Sequence, residues 1–270
     1  MLSVIISRPQ TATEGLKSLE EKLLKAVSGR DDLRAVVSPS LYDLPPESDA
    51  VQALRKLEEP LVVCAYLNPR AAFWVLHANG ITGRMGSSPL IREEMDEQPR
   101  SDLPDRKIWC FDLREHLRPT RLLNEIERLL ALVEGGPVEP LATTSATTPS
   151  TGANGHITLD GLQGRRWYPV IDKSRCTGCL ECLNFCLFGV YGIDHAGQLF
   201  VETPDACKDG CPACSRVCPR GAIMFPMHDN PGIAGAGATE AGQSGLPQIT
   251  KRPPRDDLDN LVDGLDDAEL

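Results

Sequence analysis

The chain has 270 residues, 41% of them apolar, and a formal charge of −10 at neutral pH. This length and composition suit one large or two modest packed units and argue against general disorder. A net acidic chain with no basic stripe argues against nucleic-acid binding as a class, and no apolar run approaches the roughly 18–20 residues that span a bilayer.

In chain order, residues 2–7 are an apolar run with neither a basic leader nor a small-residue cleavage site, so they read as a first strand and not as a signal peptide. Helical periodicity follows at 14–27, then strand-type runs at 34–37, 61–66 and 107–112 alternate with helical patterns at 49–57, 71–78 and 120–133. Each parallel connection needs a crossover, so this alternation predicts an α/β domain with a mainly parallel sheet over residues 1–134. Its last helix carries the clearest stripe, formed by Leu122, Ile126, Leu129, Leu130 and Val133.

Other features of this domain take plain readings. Cys64 and Cys110 lie in apolar strands and read as small core residues. His77 reads as structural, because no catalytic partner for it stands out. Gly80, Gly83 and Gly86, with Arg84, make a glycine-rich loop whose spacing fits no nucleotide-binding motif. Residues 92–105 read as a solvated excursion, and no catalytic constellation emerges.

Residues 135–156 are rich in Gly, Pro, Ala, Thr and Ser and predict a disordered linker. A second unit spans 157–228, and residues 229–270 form an acidic tail with 3 basic and 9 acidic groups. Composition makes that tail disordered, yet Leu258, Leu261, Val262 and Leu265 fall at helical spacing. A docking helix over 256–267 that forms on a partner follows from that spacing.

Eight of the ten cysteines crowd into the second unit. The first run, Cys176, Cys179, Cys182 and Cys186, is spaced C-x2-C-x2-C-x3-C; the second, Cys207, Cys211, Cys214 and Cys218, is C-x3-C-x2-C-x3-C-P. Closely spaced cysteines on a tight loop converge on the corners of a cubane cluster. Zinc sites pair ligands across a long spacer, and one zinc needs only four. The spacing therefore favours iron–sulfur ligation over zinc or a disulfide framework, and with it one-electron transfer.

Residues 168–226 resemble a bacterial-type dicluster ferredoxin, a small α+β domain of two pseudo-symmetric halves. The resemblance rests on both cysteine runs, on Tyr168 to Asp172 as a strand and turn before the first, on strand-like 188–193 and 198–202 around His195-Ala-Gly197, and on Pro219 to Phe225 after the second. It implies two [4Fe–4S] clusters of low potential, with the fourth cysteine exchanged between halves. One cluster would then sit on Cys176, Cys179, Cys182 and Cys218, the other on Cys207, Cys211, Cys214 and Cys186. Leu187 stands where a proline is usual, and the second run holds one extra residue between Cys207 and Cys211. These departures bear on local stiffness and on the potential or lability of the second cluster.

The leading functional reading is an electron carrier or electron-transfer subunit that exchanges electrons with a redox protein partner, docked through the acidic tail. The absence of a leader and the free thiols place it in the cytoplasm. Two readings from other classes stay open: a redox enzyme whose site lies in the N-terminal domain, and a regulatory or assembly protein that depends on its clusters.

Overall fold

The computed structural model describes residues 1–9, 11, 13–91, 103–115, 118–135, 155–161 and 164–236. Ten elements build the larger part: β1 (Leu2–Ser7), α1 (Glu14–Val27), β2 (Leu33–Ser38), α2 (Asp49–Arg55), β3 (Leu61–Ala65), α3 (Pro69–Ala78), β4 (Arg84–Met85), β5 (Lys107–Asp112), α4 (Pro119–Glu134) and β6 (Ile157–Thr158). The six strands form one sheet in the order β4-β5-β3-β1-β2-β6, and every pair is parallel. β1, β2 and β3 are mostly Val, Ile, Leu and Ala, β5 centres on Ile108, Trp109, Cys110 and Phe111, and all four are buried on both faces, as interior parallel strands must be.

Helix starts follow from capping chemistry. The Ser48 hydroxyl accepts the Val51 N–H before α2, while Pro69 and Pro119 occupy first-turn positions that need no N–H donor. Helices α1 and α4 cover one face through Leu19, Leu23, Leu122, Ile126 and Leu129. Helices α2 and α3 cover the other face. The α3 helix is unlike the rest, because every residue from Pro69 to Leu76 is buried. A helix that is apolar all round needs cover on both sides, and its outer side is met by residues from beyond the sheet. Tyr168, Val170 and Met224 belong to the same core.

Several plain readings hold. Cys64 and Cys110 are fully buried strand residues, and burial pushes the Cys64 thiol up to about 12. His77 packs on Phe73 and Trp74, with Nε2 3.1 Å from the Gly83 carbonyl. The glycine-rich loop instead contains the edge strand β4. A Cβ on Gly86 would lie 2.1 Å from Trp109 Nε1, so this glycine lets β4 approach β5. Residues 157 and 158, read from the sequence as part of the second unit, pair with Val36 and Val37 as β6. Residues 92–102 of the excursion and 136–154 of the linker stretch lie outside the described residues.

On the α1 side, the Glu20 carboxylate accepts from the Tyr66 hydroxyl at 3.0 Å and lies 3.4 Å from Arg8. Burial raises its pKa above the ordinary 4.5, outweighing the lowering by Tyr66 and Arg8, with Glu21 adding to the rise. A carboxyl with a raised folded pKa contributes stability fully below pH 4.5 and loses it as pH climbs through the folded value. Glu20→Gln, which keeps the acceptor for Tyr66, is therefore expected to raise the thermal midpoint at pH 7. The gain should shrink steadily towards pH 5, as read by anaerobic calorimetry at both pH values.

Candidate metal centre

The second part continues with β7 (Val170–Ile171), α5 (Glu181–Phe185), β8 (Tyr191–Ile193), β9 (Leu199–Val201), α6 (Ala213–Val217), β10 (Ile223–Met224) and α7 (Pro231–Ala234). β7 pairs antiparallel with β10, and β8 with β9. Each half thus reads strand, loop, five-residue helix, strand. The third cysteine of each run, Cys182 or Cys214, lies on the helix and is buried; the fourth, Cys186 or Cys218, caps its C-terminus. The tail reading changes at its start, since Asn230 caps α7 and Ile233 packs into the core beneath the cysteines. Residues 237–270, with the docking helix read over 256–267, lie outside the described residues.

The loops that carry the cysteines are held by short-range hydrogen bonds. The Asp172 carboxylate accepts from Ser174 N and Oγ and from Arg175 N, and its carbonyl accepts from Cys176 N at 3.0 Å. Leu180 turns the chain into α5 at φ 61, the one non-glycine residue with positive φ among the described residues. Such a conformation costs about 1–2 kcal/mol and persists because the loop is over-determined. The extra residue of the second run is absorbed in a tight turn, with Cys211 N donating to Lys208 O at 3.0 Å and Gly210 at φ 72. Trp167 steadies that loop by donating its indole N–H to the Cys211 carbonyl at 3.2 Å.

All ten cysteines are free thiols. A cavity of about 460 Å³ opens among Cys186, Cys207, Cys211 and Cys214, so three members of the second run meet the last member of the first. The gathered thiols also raise one another's pKa. Burial and the neighbours Cys207, Cys186 and Cys211 push the Cys214 thiol up to about 12, and burial with Cys211 and Cys186 pushes Cys207 up to about 11. Cys182 is raised to about 12 by burial and by Cys218, Cys214 and Cys176, while Cys179 is exposed.

Gathered thiols that resist losing their protons in each other's company suit a polycationic core, which deprotonates them on binding. Among the described residues, no three His, Cys, Asp or Glu side chains are placed to hold a single metal ion. The Tyr191 hydroxyl is buried without a conventional hydrogen-bond partner and feels Cys214 most strongly among the thiols. Four cysteines lining one cavity fit the donor set of an iron–sulfur cubane. The rim of the cavity is apolar, with Phe185 51%, Leu187 92% and Phe188 43% exposed.

The cysteine-rich part is fastened to α3 and to the loop after β2, through residues that have no motif in the sequence. Arg70 Nε donates to Asp172 Oδ2 at 2.5 Å and its Nη2 to the Gly221 carbonyl at 2.7 Å. Asn68 donates to the Ala234 carbonyl. Tyr42 stacks on Tyr168 at 4.4 Å, donating its hydroxyl to Tyr168 O and accepting from Tyr168 N. Tyr42→Phe would leave that buried backbone pair unmet and is expected to cost about 1–3 kcal/mol, measured as a lower thermal midpoint with unchanged cluster absorption. The signal for such cover was present in α3, apolar but for Arg70 and His77, though not the identity of what covers it.

Comparison with known proteins gives the same picture. No protein-family model matches the chain. It is 44% identical over 61 residues to an uncharacterized ferredoxin of Methanocaldococcus jannaschii, and 36% identical over 59 residues to the pyruvate synthase subunit PorD of the same organism. Each match covers 22% of this chain, and 41% and 66% of those proteins respectively, less than two thirds of either. Among the described residues, no helix is long and apolar enough to cross a membrane. Over about a fifth of its length the chain is thus similar to ferredoxins, with a cysteine pattern that fits a dicluster module, and its larger part is a parallel α/β domain.

Proposed function

We propose that this chain is an electron-transfer protein holding two [4Fe–4S] clusters, one on Cys176, Cys179, Cys182 and Cys218 and the other on Cys207, Cys211, Cys214 and Cys186. The supporting observation is the cavity in which Cys186 joins three cysteines of the other run. The clusters supply reversible one-electron chemistry when bound. The chain's own residues do the remainder: Asp172, Trp167 and the turn at Gly210 hold the loops, and the buried Tyr191 and Val190 keep water from the thiolates.

The apolar rim of Phe185, Leu187 and Phe188 is where a redox protein would approach, with the acidic tail as a further contact. PorD is by name a subunit of pyruvate synthase; by analogy, the partner here is a larger redox enzyme. Free thiols in this number suit a reducing compartment, the cytoplasm. Anaerobic metal and sulfide analysis with EPR of the reduced protein tests the proposal. About eight iron and eight sulfide per chain are expected; about four iron, or zinc, would refute it.

A second reading has one observation behind it. The strand order reverses between β1 and β3, and open α/β sheets bind ligands at the carboxyl ends of strands beside such a point. Arg8, Glu20 and Tyr66 lie there. Substrate-dependent turnover that vanishes in Cys176→Ala would favour a redox enzyme.

A further inference from the structure

Arg70 stands in the α/β domain, at the first turn of α3, yet its guanidinium donates to Asp172 and Gly221 in the cysteine-rich part. It is 2% exposed, and its partner Asp172 is 1% exposed. The two groups it grips belong to different loops. Asp172 opens the loop that ends in Cys176, whose N–H it binds through its own carbonyl. Gly221 closes the loop that leaves Cys218: its N–H donates to Cys218 O at 3.2 Å, and the next N–H, of Ala222, points at Cys218 Sγ at 3.3 Å. The strands behind them are joined by Asp172 N donating to Ala222 O at 2.8 Å. One planar fork therefore spans the two loops that carry Cys176 and Cys218.

Among the described residues, the other half is tied to the α/β domain by a more exposed brace. Its nearest counterpart, Arg166, donates to the Leu44 carbonyl at 3.0 Å and pairs with Asp205, a carboxylate 78% exposed, and such exposed ion pairs contribute little. Two halves alike in backbone are thus unlike in what holds them.

We infer that Arg70 is a positioning residue for one cluster only, the one assigned to Cys176, Cys179, Cys182 and Cys218, and that through it the α/β domain sets that cluster's potential and its resistance to iron loss. This rests on the cluster assignment proposed above. Two properties of the guanidinium act separately. Its fork fixes the spacing between loops, which an ammonium group with a single reach cannot reproduce. Its charge balances Asp172; without it only Arg175, 3.8 Å away and 20% exposed, opposes that carboxylate, and the added negative field disfavours the extra electron.

The test uses the full-length holoprotein and the variants Arg70→Lys, Arg70→Gln and Asp172→Asn, under anaerobic conditions. EPR-monitored redox titration reads each cluster, with the signal missing from Cys176→Ala identifying the first. Chelator-driven iron release is followed in parallel. Arg70→Gln is expected to lower the first cluster's potential, and Asp172→Asn to raise it, with the second cluster unmoved. Both Arg70 variants should release half of the iron about tenfold faster, whereas Arg70→Lys should keep most of the potential. Equal changes at both clusters, or reduced thermal stability with both potentials and release rates unchanged, would overturn the inference. A wild-type protein without two four-iron signals would instead overturn the cluster assignment, before any variant is compared.

Discussion

Alanine at Cys186 is expected to strip the iron from the site that Cys207, Cys211 and Cys214 line, while the site served by the rest of its own run stays loaded. Cys186 caps α5 and faces the cavity of the opposite half. Losing one of four thiolates leaves a cubane with an open corner in a site that solvent can reach, so iron should fall from about eight to about four per chain. Paired substitutions make the assignment decisive. Adding Cys211→Ala should remove no further iron, because both residues serve one cluster. Adding Cys179→Ala should remove nearly all of it. If each run bound its own cluster, the two double variants would exchange results. Cys218→Ala should give the mirror pattern. Iron analysis and spin quantitation on anaerobically purified protein read all of these.

The second large effect lies far from any cysteine motif. Arg70→Ala leaves the Asp172 carboxylate, 1% exposed, with the more distant Arg175 at 3.8 Å as its remaining counter-charge, and the Gly221 carbonyl without its Arg70 donor. Removing one partner of a buried ion pair costs about 3–5 kcal/mol, because the other charge stays behind poorly compensated. For a protein of this size the thermal midpoint should drop by roughly 6–20 °C. Asp172→Asn should cost less than Asp172→Ala, since an amide oxygen can still accept from Ser174 and Arg175, which organise the approach to Cys176. The Arg70→Ala/Asp172→Ala pair should show strong coupling in a double-mutant cycle, exceeding ~1 kcal/mol. Additive effects would mean that the two side chains act independently.

The sequence exposes the elements whose apolar period is long and unbroken. Strands at 2–7 and 107–112 and the helix at 14–27 coincide with β1, β5 and α1. Two helix ends differ for physical reasons: α3 starts earlier, at Pro69, because proline fits a first turn, and α2 stops at Arg55, leaving Leu57 to pack outside the helix. β4 and β6 have two residues each, too few for any period to register, and exist because β5 and β2 offer unpaired edges. α7 carries a readable start in Asn230-Pro231, but its four residues sit in a glycine-rich stretch that composition alone marks as disordered. The cysteines were legible because cluster geometry constrains their spacing within a few residues of one another. Arg70 was not, because its partner lies 102 positions away and nothing local marks a charge as buried.

β6 has a consequence for how the chain can be cut. The stretch 136–154 leaves from the end of α4 and returns where the Gly155 carbonyl accepts from Gly29 N, immediately before β6 pairs with β2. Both of its ends are therefore fastened to the same α/β body, and its length does not set the distance between that body and the ferredoxin module. A protease that cleaves inside it makes two polypeptides but should not make two particles. The β2–β6 pairing, the Tyr42–Tyr168 stack and the grip of Arg70 all cross the break. The nicked protein should run as one species on a sizing column with its cluster absorption intact, and fall apart only in denaturant.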